Sequence, residues 1–264
     1  SLDHMQFLGN TVREIAGEKA GIIVPGVPVI YDGNDKDAAE VIAAKAKELG
    51  SPAYKVIQAG AKVLGNNKDG IDFSLEDDYY GDTRFHIPFI AWYQVMNASL
   101  ALTTMEVLKD RIPVTMEQLQ AGIANTRWQG RMETILPGVI VDGAHNEDGV
   151  RRFVETAERF QKEYPLTLLF SAVNDKDYQD MIHTICSRIK FRKVVTTEVG
   201  GYREVPSAEL AEIFCKEGCK DVGNSDNIEE AFHMAHEAKG EDGMLFCVGS
   251  LYLVGEIKTL LLKK

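Results

Sequence analysis

Residues 138–149 read GVIVDGAHNEDG, and the reading of this stretch decides the fold. A short apolar run over 139–141 stops at an acid, and the turn that follows carries Asp142, His145 and Asn146. The run reads as a buried strand ending at Asp142, with a helix opening near Asn146 or Asp148. In an α/β sheet the ligand crevice lies beyond the carboxyl ends of the strands, where a helix N-terminus offers unpaired N–H groups to an anion. Two readings of this corner stand side by side. Asp142, His145 and Asn146 serve a ligand, or Asp and Asn simply cap the helix.

Outward from this corner the same rhythm repeats. Strand-like segments at 139–141, 166–172, 193–197 and 244–248 alternate with helical segments near 148–161, 177–190, 207–217 and 227–238. Such alternation implies a mostly parallel sheet flanked by helices. Polar turns follow three of the four strands: Asp142 to Asn146, then Asn174, Asp175, Lys176 and Asp177, and finally Gly249 and Ser250. Three polar turns at carboxyl strand ends weigh toward a site over three separate caps. The rhythm restarts after Asn125, so the domain boundary is placed there, giving domains 1–124 and 125–264.

The earlier half is less regular. Residues 11–18 read as a helix with Thr11 and Glu14 spaced as a capping box, stopping at Ala20 and Gly21 with Lys19 near the C-terminal end. GVPVIYDG and DKDAAEVIAAKAKELG then read as one strand and one helix, the Asp35-Lys36-Asp37 run capping the latter. Residues 51–86 are assigned only loops and hairpins. Residues 88–108 turn helical, with Gln94 and Asn97 three apart on one face, and 115–123 form a further helix.

Composition sets the outer bounds. With 264 residues and 45% hydrophobic content there is enough apolar mass for one large or two ordinary cores. A formal charge of −11 disfavours nonspecific nucleic-acid binding, which needs clustered Lys and Arg. Cys186, Cys215, Cys219 and Cys247 show no CxxC pairing, so they read as reduced thiols of a cytoplasmic protein, Cys215 and Cys219 sharing a helical face without partners. No apolar run is long enough to span a membrane, and no signal peptide is visible. His233 and His236, three apart on a helix, lack a third ligand and read as ordinary surface or core histidines. The opening SLDHMQFLG lacks an initiator Met and begins with a site-like motif already under way, which reads as a piece of a longer chain.

Six motifs in order, SLDHMQFLGNTVREIAGEKAGI, YQVMNASLAL, WQGRMETI, VDGAHNEDG, NDKD and VGSLYLVGEI, resemble the folylpolyglutamate and dihydrofolate synthases of the Mur ligase superfamily. The similarity covers nearly the whole chain. Members of that family begin with a GxxxxGK[ST] phosphate loop, and this sequence contains no Gly-Lys dipeptide. The resemblance therefore implies an α/β chain in two parts: an incomplete C-terminal portion of a P-loop ATPase-type central domain, then a complete Rossmann-like, mostly parallel C-terminal domain. It further implies an ATP- and magnesium-dependent ligase joining L-glutamate to folate or dihydropteroate through an acyl phosphate. The intact enzyme would be a monomer, and these residues alone would be inactive and prone to self-association. The alternatives are a Mur-type ligase of cell-wall precursors and a nucleotide-binding module without catalysis.

Residue by residue, the resemblance implies that His4 is a magnesium ligand and that Lys19 matches a lysine carbamylated in many relatives, a change that makes it an oxygen ligand. Asn97, with Gln94 beside it, would contact adenine, and Arg131 would reach the nucleotide phosphates, for which its planar fork is suited. Asp142 would hold the ribose hydroxyls, with His145 next to the nucleotide. Asp175, Lys176 and Ser250 would face the substrate cleft. Four positions depart from the family pattern: Val24 for Lys, Ala91 for Gly, Gln129 for Pro, and Glu147 for Pro.

Overall fold

The computed structural model describes residues 11–200 and 204–262. The chain divides into two compact units, residues 1–126 and 127–264. The sequence reading set its boundary near Asn125.

In the first unit, helix α1 (Val12–Ala20) is capped by Thr11, whose hydroxyl accepts from Glu14 N while the Glu14 carboxylate accepts from Thr11 N. This reciprocal box satisfies two donors that a helix start leaves unpaired. Strand β1 (Val29–Asp32), helix α2 (Lys36–Glu48) and strand β2 (Ala53–Val56) make one βαβ unit, and the strands pair in parallel. Asp35 caps α2 by accepting from Ala38 N.

The stretch 51–86, read as loops and hairpins, is more ordered than that. After β2 and a short 3-10 turn, β3 (Ala61–Asn67), β4 (Gly70–Leu75) and β5 (Phe85–Ile87) form a three-stranded antiparallel sheet. A register shift between Val63 and Gly65 breaks the alternation along β3, which hides its two-residue period from the sequence. Helix α3 (Tyr93–Val107) packs on this sheet, as does α4 (Met116–Ala124), which Thr115 caps. The helix read over 88–108 begins only at Tyr93. Phe89, Ile90 and Ala91 are buried as irregular chain ahead of it.

The second unit is built on one six-stranded sheet ordered β10-β9-β8-β11-β7-β6. Its strands are β6 (Glu133–Leu136), β7 (Val139–Val141), β8 (Leu166–Phe170), β9 (Phe191–Thr196), β10 (Val222–Asn224) and β11 (Met244–Val248). Only β6 runs antiparallel. The intervening helices are α5 (Glu147–Phe160), α6 (Tyr178–Arg188), α7 (Ser207–Lys216), α8 (Ile228–Lys239) and α9 (Leu251–Leu262). Every residue of β7, β8 and β11 is buried, as expected of parallel strands covered on both faces. The sequence reading missed β6 and β10, which are short edge strands with little full burial.

The chain passes from β7 to β8 over a vacant position, adds β9 and β10 outward, and returns to place β11 between β7 and β8. That reversal is a topological switch point, where the crevice of an open α/β sheet opens.

Cys215 and Cys219 do not share a helical face. Helix α7 stops at Lys216, and Cys219 lies beyond it with the Cys186 sulfur 3.6 Å from its own. His236 stacks on Phe232 at 5.8 Å, and among the described residues no three His, Cys, Asp or Glu side chains cluster to hold a metal. No helix among them is long and apolar enough to cross a membrane.

Candidate functional site

Asp142 follows β7 directly, and its backbone N–H donates to the Cys247 carbonyl at 3.0 Å, extending the ladder with β11 by one rung. Its carboxylate is buried, with Oδ2 accepting from Met132 N and Oδ1 from Ala144 N, both at 2.8 Å. Burial pushes the carboxyl up to about 6, against the pull of those two N–H groups and of the Arg131 charge, with that of His145 when its ring is protonated. An ionised carboxylate has about four lone-pair positions. Two are spent within the chain, so the group both ties its loops together and keeps acceptor capacity for a ligand.

The turn around Arg131 is held from several sides. Gly130 N donates to Glu133 Oε2 at 2.8 Å, and both Glu133 oxygens accept from Lys258 Nζ of α9 at 2.8 and 3.0 Å. Gly143 N donates to the Gly130 carbonyl at 2.8 Å. Between these ties Met132 sits at φ 45°, a left-handed conformation rare for a side-chain-bearing residue, with its side chain buried. Such strain persists only where surrounding contacts over-determine it. Here the contacts are the Asp142 carboxylate and the core, and together they fix the half-buried Arg131 beside the strand end.

His145 is half-buried, with Nδ1 2.7 Å from the Gly143 carbonyl. A carbonyl can only accept, so Nδ1 carries the hydrogen, which leaves Nε2 of a neutral ring as an acceptor. Asn146 caps α5 through Gly149 N at 2.8 Å, as the capping reading of the corner holds for that residue.

The second polar turn lies on the neighbouring side of the switch point. Asp177 caps α6 by accepting from Asp180 N at 3.2 Å, while Lys176 is half-buried and Asp175 exposed. Asn146, Glu147, Asp175 and Lys176 line a cavity of about 250 Å³ at the N-termini of α5 and α6. The third turn follows β11. Gly249 has φ 112°, and a Cβ there would fall 2.0 Å from the Ser171 carbonyl oxygen, so only glycine fits. Ser250, buried, turns its hydroxyl inward to accept from Tyr252 N at 3.1 Å. Because β11 lies between β7 and β8, the three turns occupy the carboxyl ends of three adjacent strands.

In the first unit Asn97 and Gln94 lie on α3, with Asn97 Nδ2 donating to Gln94 Oε1 at 2.8 Å. Gln94 is buried and its Nε2 has no hydrogen-bond partner, whereas Asn97 is exposed. Lys19 is exposed in the last turn of α1. His4 lies outside the described residues.

Residues 130–251, which carry all three polar turns and Arg131, match the Mur ligase, glutamate ligase domain family. This segment belongs to that family. It is 32% identical over 269 aligned residues to a dihydrofolate synthase/folylpolyglutamate synthase of Bacillus subtilis, covering 97% of this chain and 60% of the relative. The folylpolyglutamate synthase of Thermotoga maritima has the same fold, with a TM-score of 0.78 at 26% identity over 96% of this chain and 58% of that one. An FPGS–AMPPCP complex matches with a TM-score of 0.74 at 28% identity, over 99% of this chain and 60% of that one. The chain thus spans about 60% of the length of that Bacillus subtilis relative and of the folylpolyglutamate synthase of Lacticaseibacillus casei.

Three residues that shape this corner escaped the sequence reading: Met132, Glu133 and Lys258. Glu133 lies within the WQGRMETI motif, but its partner is 125 positions away, and no local pattern connects them. Of the departures from the family pattern, Glu147 opens α5, where an acid in the first turn suits the helix dipole.

Proposed function

We propose that this chain forms part of an ATP-dependent ligase that joins the amine of L-glutamate to a folate or dihydropteroate carboxylate. The observation that carries the proposal is the corner after β7. Asp142 keeps unspent acceptor positions beside Arg131 and His145, a donor and acceptor set suited to ribose hydroxyls and phosphate oxygens. The relatives named above support the reaction class. In this reading residues 1–124 are the latter part of a central ATPase domain and 125–264 the glutamate ligase domain of a monomeric cytoplasmic enzyme.

A carboxylate is a poor electrophile, so ATP first converts it to an acyl phosphate, glutamate's amine then attacks the carbonyl carbon, and phosphate leaves. Asp142 accepts from the ribose hydroxyls, Arg131 donates to phosphate oxygens, and His145 offers Nε2 as an acceptor at the edge of that site. Asn97 presents an amide to the adenine edge. Asp175 and Lys176 belong to the substrate cleft, while Ser250 acts by fixing the start of α9. Magnesium is assigned to this enzyme through His4 and a carbamylated Lys19. The described residues do not by themselves make a magnesium site, because an exposed ammonium offers no oxygen and no cluster of metal-ligating side chains occurs among them.

Turnover by the protein at its relatives' full length, assayed with dihydropteroate, tetrahydrofolate and a UDP-muramoyl peptide, tests the substrate class. Activity on the muramoyl peptide alone would overturn the folate reading, and absence of glutamate-dependent ADP release would leave only a nucleotide-binding module. These 264 residues contain no GxxxxGK[ST] loop, whose backbone N–H groups and lysine would hold the phosphates. We infer that alone they do not catalyse ligation and bind ATP no more tightly than about the millimolar range. Calorimetric titration with Mg-ATP checks this, and micromolar affinity would place the phosphate site elsewhere.

A further inference from the structure

Cys186 and Cys219 belong to none of the sites described above. Cys186 lies near the C-terminal end of α6 and Cys219 just past α7, with their Sγ atoms 3.6 Å apart and both residues half-buried. The end of α7 creates this approach. Gly218, at φ 93°, donates its N–H to the Cys215 carbonyl, and Cys219 N donates to the Phe214 carbonyl. This pair of bonds defines a helix ending that calls for a left-handed glycine. It also reverses the chain, so that Cys219 meets α6 and does not continue the helical face of Cys215.

The surroundings favour exchange chemistry over metal binding. His183, on the same helix as Cys186, is held by Glu217 at 2.9 Å, and among the described residues no third ligand completes a cluster. The hydrogen bond from Cys186 holds the Cys219 thiol below the ordinary thiol range. That same bond, followed by burial, holds Cys186 above it. The partner that is more readily a thiolate is the nucleophile.

We propose that Cys186 and Cys219 are a redox-modification site, forming a reversible intrachain disulfide by exchange with a low-molecular-weight disulfide such as glutathione disulfide. The Cys219 thiolate attacks one sulfur of that disulfide, forming a mixed disulfide and expelling one thiolate. Cys186, giving up its proton, attacks the Cys219 sulfur and expels the second. Two protein thiols are oxidised, one small disulfide is reduced to two thiols, and the two protons end on those thiols. Bonded sulfurs lie about 2.05 Å apart, so closing the bond requires the two sulfurs to approach from 3.6 Å. The bond ties α6 to α7 across 33 positions of sequence.

The test is equilibration of the protein in glutathione buffers of rising oxidised fraction, followed by acid quench, alkylation and peptide mass spectrometry. The expected result is a Cys186–Cys219 linked peptide, reversed by dithiothreitol, with a rise in Tm of up to about 10 °C. Cys215→Ser retains both the link and the shift. Cys219→Ser loses both, and its reduced Tm, matched to the reduced parent, shows that the fold survives. Full alkylation of Cys186 and Cys219 in the oxidised buffer would overturn the proposal. So would separate glutathione adducts on both, or a link from Cys215 to either.

Discussion

The parallel pair β1–β2 and the mostly parallel sheet of the second unit are covered very differently. In the second unit, β8 and β11 are buried at every position, and Phe246 of β11 meets Phe153 of α5 edge-on at 5.5 Å. In the first unit no residue of β1 or β2 is fully buried, and Ile22, Val24, Val27, Tyr54 and Ile57 are exposed. The buried core of that unit lies instead against the antiparallel sheet, where Ile71, Phe73 and Phe85 meet Val95 and Leu102 of α3 and Leu119 of α4. Parallel strands gain their stability from cover on both faces. The two sheets share a pairing mode but differ in this cover, so the second is expected to carry far more of its unit's stability.

The largest expected effect tests that difference directly. Phe246→Ala should cost the second unit about 3–5 kcal/mol, whereas Val29→Ala in half-buried β1 should cost the first unit about 1 kcal/mol or less. Denaturant unfolding of each variant, with hydrogen exchange assigning the transition to a unit, reads both values. Equal losses would break the comparison.

A second effect belongs to the buried acid at the end of β7. Asp142 titrates near 6 in the folded protein against an ordinary 3.8, so the folded state holds its proton more tightly than the unfolded state does. Its contribution to stability is therefore complete below about pH 4 and is lost as pH rises through 6, an effect on the order of 3 kcal/mol. The ribose contact proposed for Asp142 requires the ionised form, so under that proposal nucleotide affinity should fall about tenfold per pH unit below 6. A carboxyl-carbon NMR titration locates the midpoint, and a value below 4 would remove both expectations.

The smallest effect contrasts the ion pairs of the two units. Lys258→Ala strips the partner from Glu133, which also accepts from Gly130 N, and should cost about 1 kcal/mol. Arg13 bridges α1 to Asp37 and Glu40 through side chains that are all more than half exposed, where charge pairs are screened. Arg13→Ala should leave the first unit's unfolding midpoint unchanged within error, and a clear shift would show that this bridge matters more than exposure allows.

The sequence by itself determined what local rules govern. Caps at Thr11, Asp35 and Asn146 were legible because each contacts a backbone group three positions ahead. The strand, turn and helix after residue 138 were legible because an apolar run, a polar turn and a helical period follow one another without a break. Tertiary structure decided what depends on partners far apart in the chain. Periodicity shows that β7, β8 and β11 exist, but not that β11 enters between the other two and brings three polar turns to adjacent strand ends. Spacing put Gln94 and Asn97 on one face, but only packing buried the first and exposed the second. The bonds from Met132 to Asp142 and from Lys258 to Glu133, and the approach of Cys186 to Cys219, have no sequence signature, because pairing energy depends on distance in space and local patterns report only distance along the chain.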